Sequence, residues 1–398
     1  MIKVDKNNPS KEFIETIRRR FPIESEIDRI LTSKMNRRPG KMFSPLTLES
    51  LSKNLEQFIR SKYDQPFKIS DVDWLPGGAS KLQVGFILEW GPPGDKVHTP
   101  MVLRMEPEES ICESSRSREF QIIKAFEGTV PVPPVYWVDE QKDYMPLPAL
   151  IYGFVEGVTK PKNAVRNVTG VGLNVGTRLR KILTPQFIGH LSIIHTCDFK
   201  EFELKNFDCP RVGTTEAALW AVNWWERVWE EDAGEDVPLL RYTAAWLRDN
   251  LPITDRLSIV HGDFRTGNWL FREEDGKITA WLDWELAHIG DRHEDLGWAM
   301  LSAFGHMDED GKKFLVGGLL PEKEFIDAYE KASGTKVNPK TLYFYRIQAL
   351  YKSIVITLGT GYRIAKMGKT HQDVLVAWLM GVAPVLLADL SELLEKGE

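Results

Sequence analysis

Residues 46–59 read LTLESLSKNLEQFI, with apolar side chains returning at the spacing of one helix face. The whole of residues 1–65 shares this polar, helical texture. At residue 75 it changes. LPGGASKLQVGFILEW (75–90) is a glycine turn running into strict alternation, which puts Val84, Phe86, Leu88 and Trp90 on one face of a strand. After the GPPGD turn, TPMVLRMEP (99–107) predicts a second strand. SSRSREFQIIKAFEG (114–128) predicts a helix closed by Gly128. VPVPPVYWV leads into another strand, and ALIYGFVEG (149–157) is a further apolar strand ending at glycine.

From about residue 185 helical spacing takes over, as in FIGHLSIIHTC and ALWAVNWWERVWEE. The exception is 258–285, where the short apolar runs SIV, NWLF and ITAWLDW alternate with turns and predict brief strands. No repeat is visible. The pattern therefore predicts an α+β chain: a helical extension (1–65), a small strand-rich lobe (66–156) and a large helical lobe (157–398). A length of 398 residues, too great for one small core, agrees with two lobes.

Composition narrows the class only a little. A net charge of −6 argues against a general nucleic-acid surface. Three cysteines, Cys112, Cys197 and Cys209, cannot pair completely and form no CxxC, so neither a disulfide framework nor a structural zinc is expected. MIKVDKNNPSKEF has no apolar stretch of signal-peptide length. The longest apolar run, Val374 to Ala388, is short for a membrane span and is expected to be a buried helix pair. These points together predict a cytoplasmic protein without a membrane or nucleic-acid partner. The oligomeric state is not legible.

The chemistry concentrates in HGDFRTGNWLF (261–271) and WLDWELAHIGD (281–291). Phosphoryl transfer needs phosphates and magnesium held and an acceptor hydroxyl oriented. An Asp, a basic residue and an Asn within six positions can supply one group for each task, and a second Asp nearby can ligate the metal. HGDFRTGN followed by LDWE resembles the aminoglycoside phosphotransferase and choline kinase family, which has the protein-kinase-like bilobal fold. The resemblance runs in order over roughly residues 70–390. It extends to the kinase-like domains fused to some acyl-CoA dehydrogenases.

The resemblance implies ATP (GTP being the alternative) and Mg2+ as cofactors, with a small-molecule hydroxyl as acceptor. It implies Asp263 as the catalytic carboxylate and Arg265 as the cation on the transferring phosphate. Asn268 and Asp283 become metal ligands, and Gly77, Gly78 and Ser80 the loop over the phosphates. Gly153, Phe154 and Val155 become the adenine hinge, and Arg104 the strand cation paired with Glu119. That cation is usually Lys. Arg is a planar fork rather than a point charge, yet it can still bridge a phosphate and a carboxylate. No APE-type activation segment follows LDWE, which disfavours protein substrates. A nucleotide-binding pseudo-enzyme is the reading from another class, and the three intact motif residues argue against it.

Other residues receive quieter readings. His261 is expected to brace the loop, and Asp295 to anchor a helix start beneath it. Glu285 is open between a carboxylate behind the metal and a solvated one. The stripe Trp220, Trp224, Trp225 and Trp229 is expected to be core, with one of the adjacent pair a candidate for the acceptor cleft. Residues 160–181 hold six basic side chains and no acid. As a loop beside the acceptor they would favour a neutral or anionic substrate, hydroxyacyl-CoA included, over an aminoglycoside. The acidic run Glu226 to Asp236 would favour the opposite if it lined the cleft.

Overall fold

The computed structural model describes residues 5–40, 44–75, 80–92, 94–162, 165–166, 172–368 and 373–397. Gly77 and Gly78 lie outside the described residues.

Three helices open the chain: α1 (Lys11–Arg20), α2 (Ser25–Arg37) and α3 (Leu48–Lys62). Thr47 starts α3, its hydroxyl accepting from the Ser50 amide at 3.2 Å. The small lobe follows: β1 (Lys68–Trp74), β2 (Leu82–Trp90), β3 (Val97–Met105), α4 (Arg116–Phe126), β4 (Val135–Asp139) and β5 (Ala149–Gly153). Its five strands form one antiparallel sheet in the order β1-β2-β3-β5-β4. Val84, Phe86 and Leu88 of β2 are buried, as the alternation predicts, against Leu51, Leu55 and Phe58 of α3. Each such side chain contributes about 1.5–3 kcal/mol on leaving water. Val102 and Leu150 face the other way, onto Ile122, Ile123 and Phe126 of α4.

Two expectations need correction here. The strand β1 was not foreseen. KISDVDW is an edge strand with no fully buried residue, so it carries no clear two-residue hydrophobic signal. The first 65 residues are also not one extension. While α3 covers the sheet, Ile27, Ile30 and Leu31 of α2 join the core of the large lobe.

The large lobe begins with the short pair β6 (Val165–Arg166) and β7 (Leu173–Asn174). The helices α5 (Gly176–Thr196), α6 (Glu216–Asp232) and α7 (Pro238–Asp249) come next. Two antiparallel pairs then nest one inside the other: β8 (Ser258–Val260) with β11 (His288–Gly290), and between them β9 (Trp269–Phe271) with β10 (Ile278–Trp281). Then come α8 (His293–Ala299), the pair β12 (His306–Met307) and β13 (Phe314–Leu315), α9 (Glu322–Ser333) and α10 (Pro339–Ile354). A π-helical segment, Val355–Gly361, joins α10 to α11 (Tyr362–Met367), and α12 (Asp373–Leu379) and α13 (Ala383–Lys396) close the chain.

α5 starts nine residues earlier than the spacing suggests, so the last six residues of the basic segment are helix rather than loop. Arg180 pairs with Glu309 and Arg178 donates to the Glu273 carbonyl. The terminal apolar run is a helix pair but only partly buried. Val376, Ala383, Leu386 and Leu390 face inward, while Trp378 and Val385 are exposed. Val376–Lys396 is long and apolar enough to cross a membrane by composition. Trp224 and Trp225 stack at 5.3 Å, and both are buried in the core.

Candidate active site

The β8–β9 connection carries HGDFRTGN. Its shape follows from what lies beneath it. Gly262 has φ +81°, and a Cβ there would meet the Leu286 carbonyl at 2.6 Å, so only glycine fits. The loop's amides converge on one buried carboxylate. Asp295 accepts from the His261 amide at 2.7 Å and the Gly262 amide at 2.9 Å, and it contacts His195 Nε2 at 3.1 Å. Burial pushes this carboxyl up, but the His195 contact and the loop amides hold it below the usual carboxylate range. Asp295 therefore anchors the loop. It sits inside α8 and does not cap that helix, which corrects the expectation. His261 packs on Trp284 with its Nε2 3.1 Å from the Leu282 carbonyl, and burial lowers its pKa.

From this base Asp263 projects with three donors around its carboxylate. Arg265 Nε donates to Oδ1 at 3.0 Å and Trp298 Nε1 to the same oxygen at 2.6 Å. Asn268 Nδ2 donates to Oδ2 at 2.6 Å. The guanidinium of Arg265 also lies over the Phe304 ring, 5.1 Å from its centroid. Trp298 escaped the sequence reading because it sits in DLGWAM, an ordinary helical pattern.

Asp283 follows β10 in a left-handed conformation, φ 65° and ψ 46°, which turns the chain sharply after LDW. Its Oδ1 lies 2.5 Å from Arg104 Nη2. Arg104, on β3, also lies 3.2 Å from Glu119 of α4 and 3.2 Å from Glu285. Burial would lower its pKa, but Glu119, Asp283 and Glu285 raise it well above its ordinary value. Glu285 is neither solvated nor idle: it accepts from Ser80 Oγ at 2.8 Å and pairs with Lys81 at 2.9 Å. Lys81 is buried, with Glu106, Ser110 and the Cys112 carbonyl around its ammonium, so its bonds serve the fold.

These groups line one cavity of about 640 Å3 between the lobes. Ser80, Arg104, Glu119, Asp263, Arg265, Asn268 and Asp283 all reach its wall. Gly153, Phe154 and Val155 do not. The Gly153 and Phe154 amides bond to the Pro134 and Pro100 carbonyls, and Tyr152, Pro133, Ile123 and Thr159 form the wall at that end.

Neither charged segment proposed for the acceptor lines the cavity among the described residues. Glu231 and Asp232 pair with Lys34, and Asp232 with Arg38 as well. Glu226 pairs with Arg248, and Asp236 with Arg241. The acidic run belongs to the packing of α2 and α7 on α6. No group of three or more His, Cys, Asp or Glu side chains gathers to hold a metal among the described residues.

Comparison with known proteins agrees with this architecture. The profile of the phosphotransferase enzyme family matches residues 94–335. Human acyl-CoA dehydrogenase family member 11 is 24% identical over 285 residues, covering 68% of this chain and 34% of that protein. Mouse acyl-CoA dehydrogenase family member 10 is 27% identical over 246 residues, 58% of this chain and 21% of that protein. The chain thus spans only about a fifth to a third of these relatives. A crystal structure from Ralstonia eutropha JMP134, classed with the aminoglycoside phosphotransferases, superposes with a TM-score of 0.61 at 20% identity. It covers 87% of this chain and 99% of that one. With the profile matching more than half its length and the fold shared, the chain belongs to the phosphotransferase enzyme family.

Proposed function

We propose that the protein transfers the γ-phosphate of ATP, with Mg2+, to a hydroxyl of a neutral or anionic small molecule. The observation that carries this reading is the convergence of Asp263, Asn268, Asp283 and Arg104 on one cavity wall. Mg2+ prefers one or two protein oxygens and completes its shell with phosphate and water, so an all-protein cage is not required. Asp283 offers a carboxylate. Asn268 uses its Nδ2 on Asp263, so its amide oxygen would be the atom left to ligate the cation. The metal, once bound, neutralises charge on the β- and γ-phosphates.

Arg104 supplies a fixed cation at the phosphate end. Binding there requires its fork to exchange part of its hold on Asp283 for phosphate oxygens, while Glu119 keeps it in place. Arg265 stands beside Asp263 to meet the transferring group. Asp263 accepts a hydrogen bond from the acceptor hydroxyl and takes its proton as the oxygen attacks. The donors from Trp298, Arg265 and Asn268 fix the carboxylate in one orientation for that task.

Two substitutions test the reading. Asp263→Asn should reduce transfer by at least about 10²-fold with ATP affinity retained. Asp283→Ala should abolish the gain in nucleotide affinity that magnesium gives. Calorimetric titration of ATP with and without Mg2+, alongside an ADP-release assay, reads both. Near-normal turnover of Asp263→Asn would overturn the assignment.

A further inference from the structure

The cavity is divided by chemistry. Its charged lining residues among those described are Arg104, Glu119, Asp263, Arg265, Asp283 and Glu285. All belong to the cluster at the phosphate end, and the rest of the wall carries no charge. Leu301 and Phe304, just after α8, form one side beyond Asp263. Ile356 of the π-helical segment forms the next, and Leu379, Val382 and Leu386 of the α12–α13 pair close the far side.

The polar side chains in this region are few: Ser353, Thr357 and Cys112. Thr357 turns its hydroxyl back onto the Ser353 and Ile354 carbonyls. Cys112 is a neutral thiol, its pKa raised by burial. The π-helical segment inserts an extra residue per turn, a departure that often marks a ligand wall. Here it carries Ile356 and Thr357 into the lining.

We infer that the acceptor is an alcohol with an apolar body: its hydroxyl meets Asp263 while an alkyl chain or aliphatic ring fills the pocket of Leu301, Phe304, Ile356, Leu379, Val382 and Leu386. This deepens the kinase reading above and rests on it. The physical reason is the asymmetry of burial. An amine-rich sugar placed there would lose water from its charges with nothing to pair them. A hydrocarbon placed there gains on every methylene that leaves water. No covalent step is added: the hydroxyl oxygen still forms the new P–O bond, its proton passes to Asp263, and ADP leaves.

The test uses the full chain with ATP and Mg2+ and a series of alkane-1,2-diols from three to ten carbons, beside kanamycin. The value of kcat/KM should rise about threefold per methylene until the pocket fills. Leu379→Gln and Val382→Gln alter half-buried cavity positions. They should flatten that rise, so that kcat/KM no longer climbs with chain length, with ATP affinity as the readout that the fold is intact. Calorimetric binding of the ten-carbon diol to the nucleotide-bound wild type should show a negative heat-capacity change.

Transfer to kanamycin or the shortest diol with no gain along the series would overturn the inference and leave the kinase reading standing. A rise that both variants preserve would also overturn it, because the chain would then lie elsewhere. Failure to bind ATP at all would remove the kinase reading and this inference with it.

Discussion

At the scale of single residues, the carboxylate of Asp263 is set by its neighbours rather than by its own loop alone. Trp298 reaches it from α8, thirty-five positions later in the chain, with an indole N–H at 2.6 Å. A hydrogen bond to a charged acceptor contributes more than a neutral one, about 1.5–3 kcal/mol. Trp298→Phe keeps a ring and removes the donor. It should lower kcat about tenfold while the KM for ATP stays put; a steady-state assay with ATP varied measures both. Arg104 shows the same dependence on distant partners, since Glu119 comes from α4 and Asp283 and Glu285 from the turn after β10. Asp263, Asn268 and Asp283 stand out in the sequence because the motif's spacing is local. Trp298 and the hub role of Glu285 were hidden because their partners are brought by folding.

Among elements, α2 is the instructive one. Its apolar stripe reads as an ordinary amphipathic helix, and nothing local says which lobe it joins. Its buried Lys34 decides the matter, with Asp232 at 3.1 Å and Glu231 at 2.9 Å on α6. Breaking a buried pair strands a charge and costs about 3 kcal/mol or more. Lys34→Met should therefore lower the urea midpoint clearly. Lys53→Met, which breaks an exposed pair with Glu49 on α3, should leave it within error. Equal effects of the two variants would show that α2 is not held by this clamp. The start of α5 is masked for a related reason: the glycines and basic residues before position 181 suggest a loop, and packing of Leu179 and Leu183 into the core overrides that.

Over the whole molecule, acid should destabilise the fold through groups held neutral or unprotonated inside it. His190 accepts the Trp281 indole N–H at 2.9 Å, and burial lowers its pKa to about 4. Between its ordinary value of 6.5 and about 4 the unfolded chain takes up a proton that the folded chain refuses. Stability from this group is thus complete at neutral pH and falls as pH drops through that window. Asp295, held below its ordinary range, acts in the same direction at lower pH. Urea titrations at pH 7 and 4.5 should show a loss, of which on the order of 1–2 kcal/mol disappears in His190→Gln. An identical loss in that variant would assign the acid sensitivity elsewhere.

What the sequence determined by itself was whatever local spacing encodes. The alternation of β2 and β3, the helix α4 closed before Gly128, the strand-poor second half and the two motifs all follow from contacts within a few residues. Tertiary structure alone decided the rest. It chose which lobe each N-terminal helix joins and turned the acidic run inward onto Lys34, Arg38, Arg241 and Arg248. It also kept the basic segment off the described cavity wall and gathered Leu301, Ile356, Leu379 and Leu386 around one space. Charge and hydropathy along a chain state what a side chain can do, but they do not state which way it faces. Direction is set when elements distant in sequence pack, and in this protein the character of the cavity wall is a matter of direction.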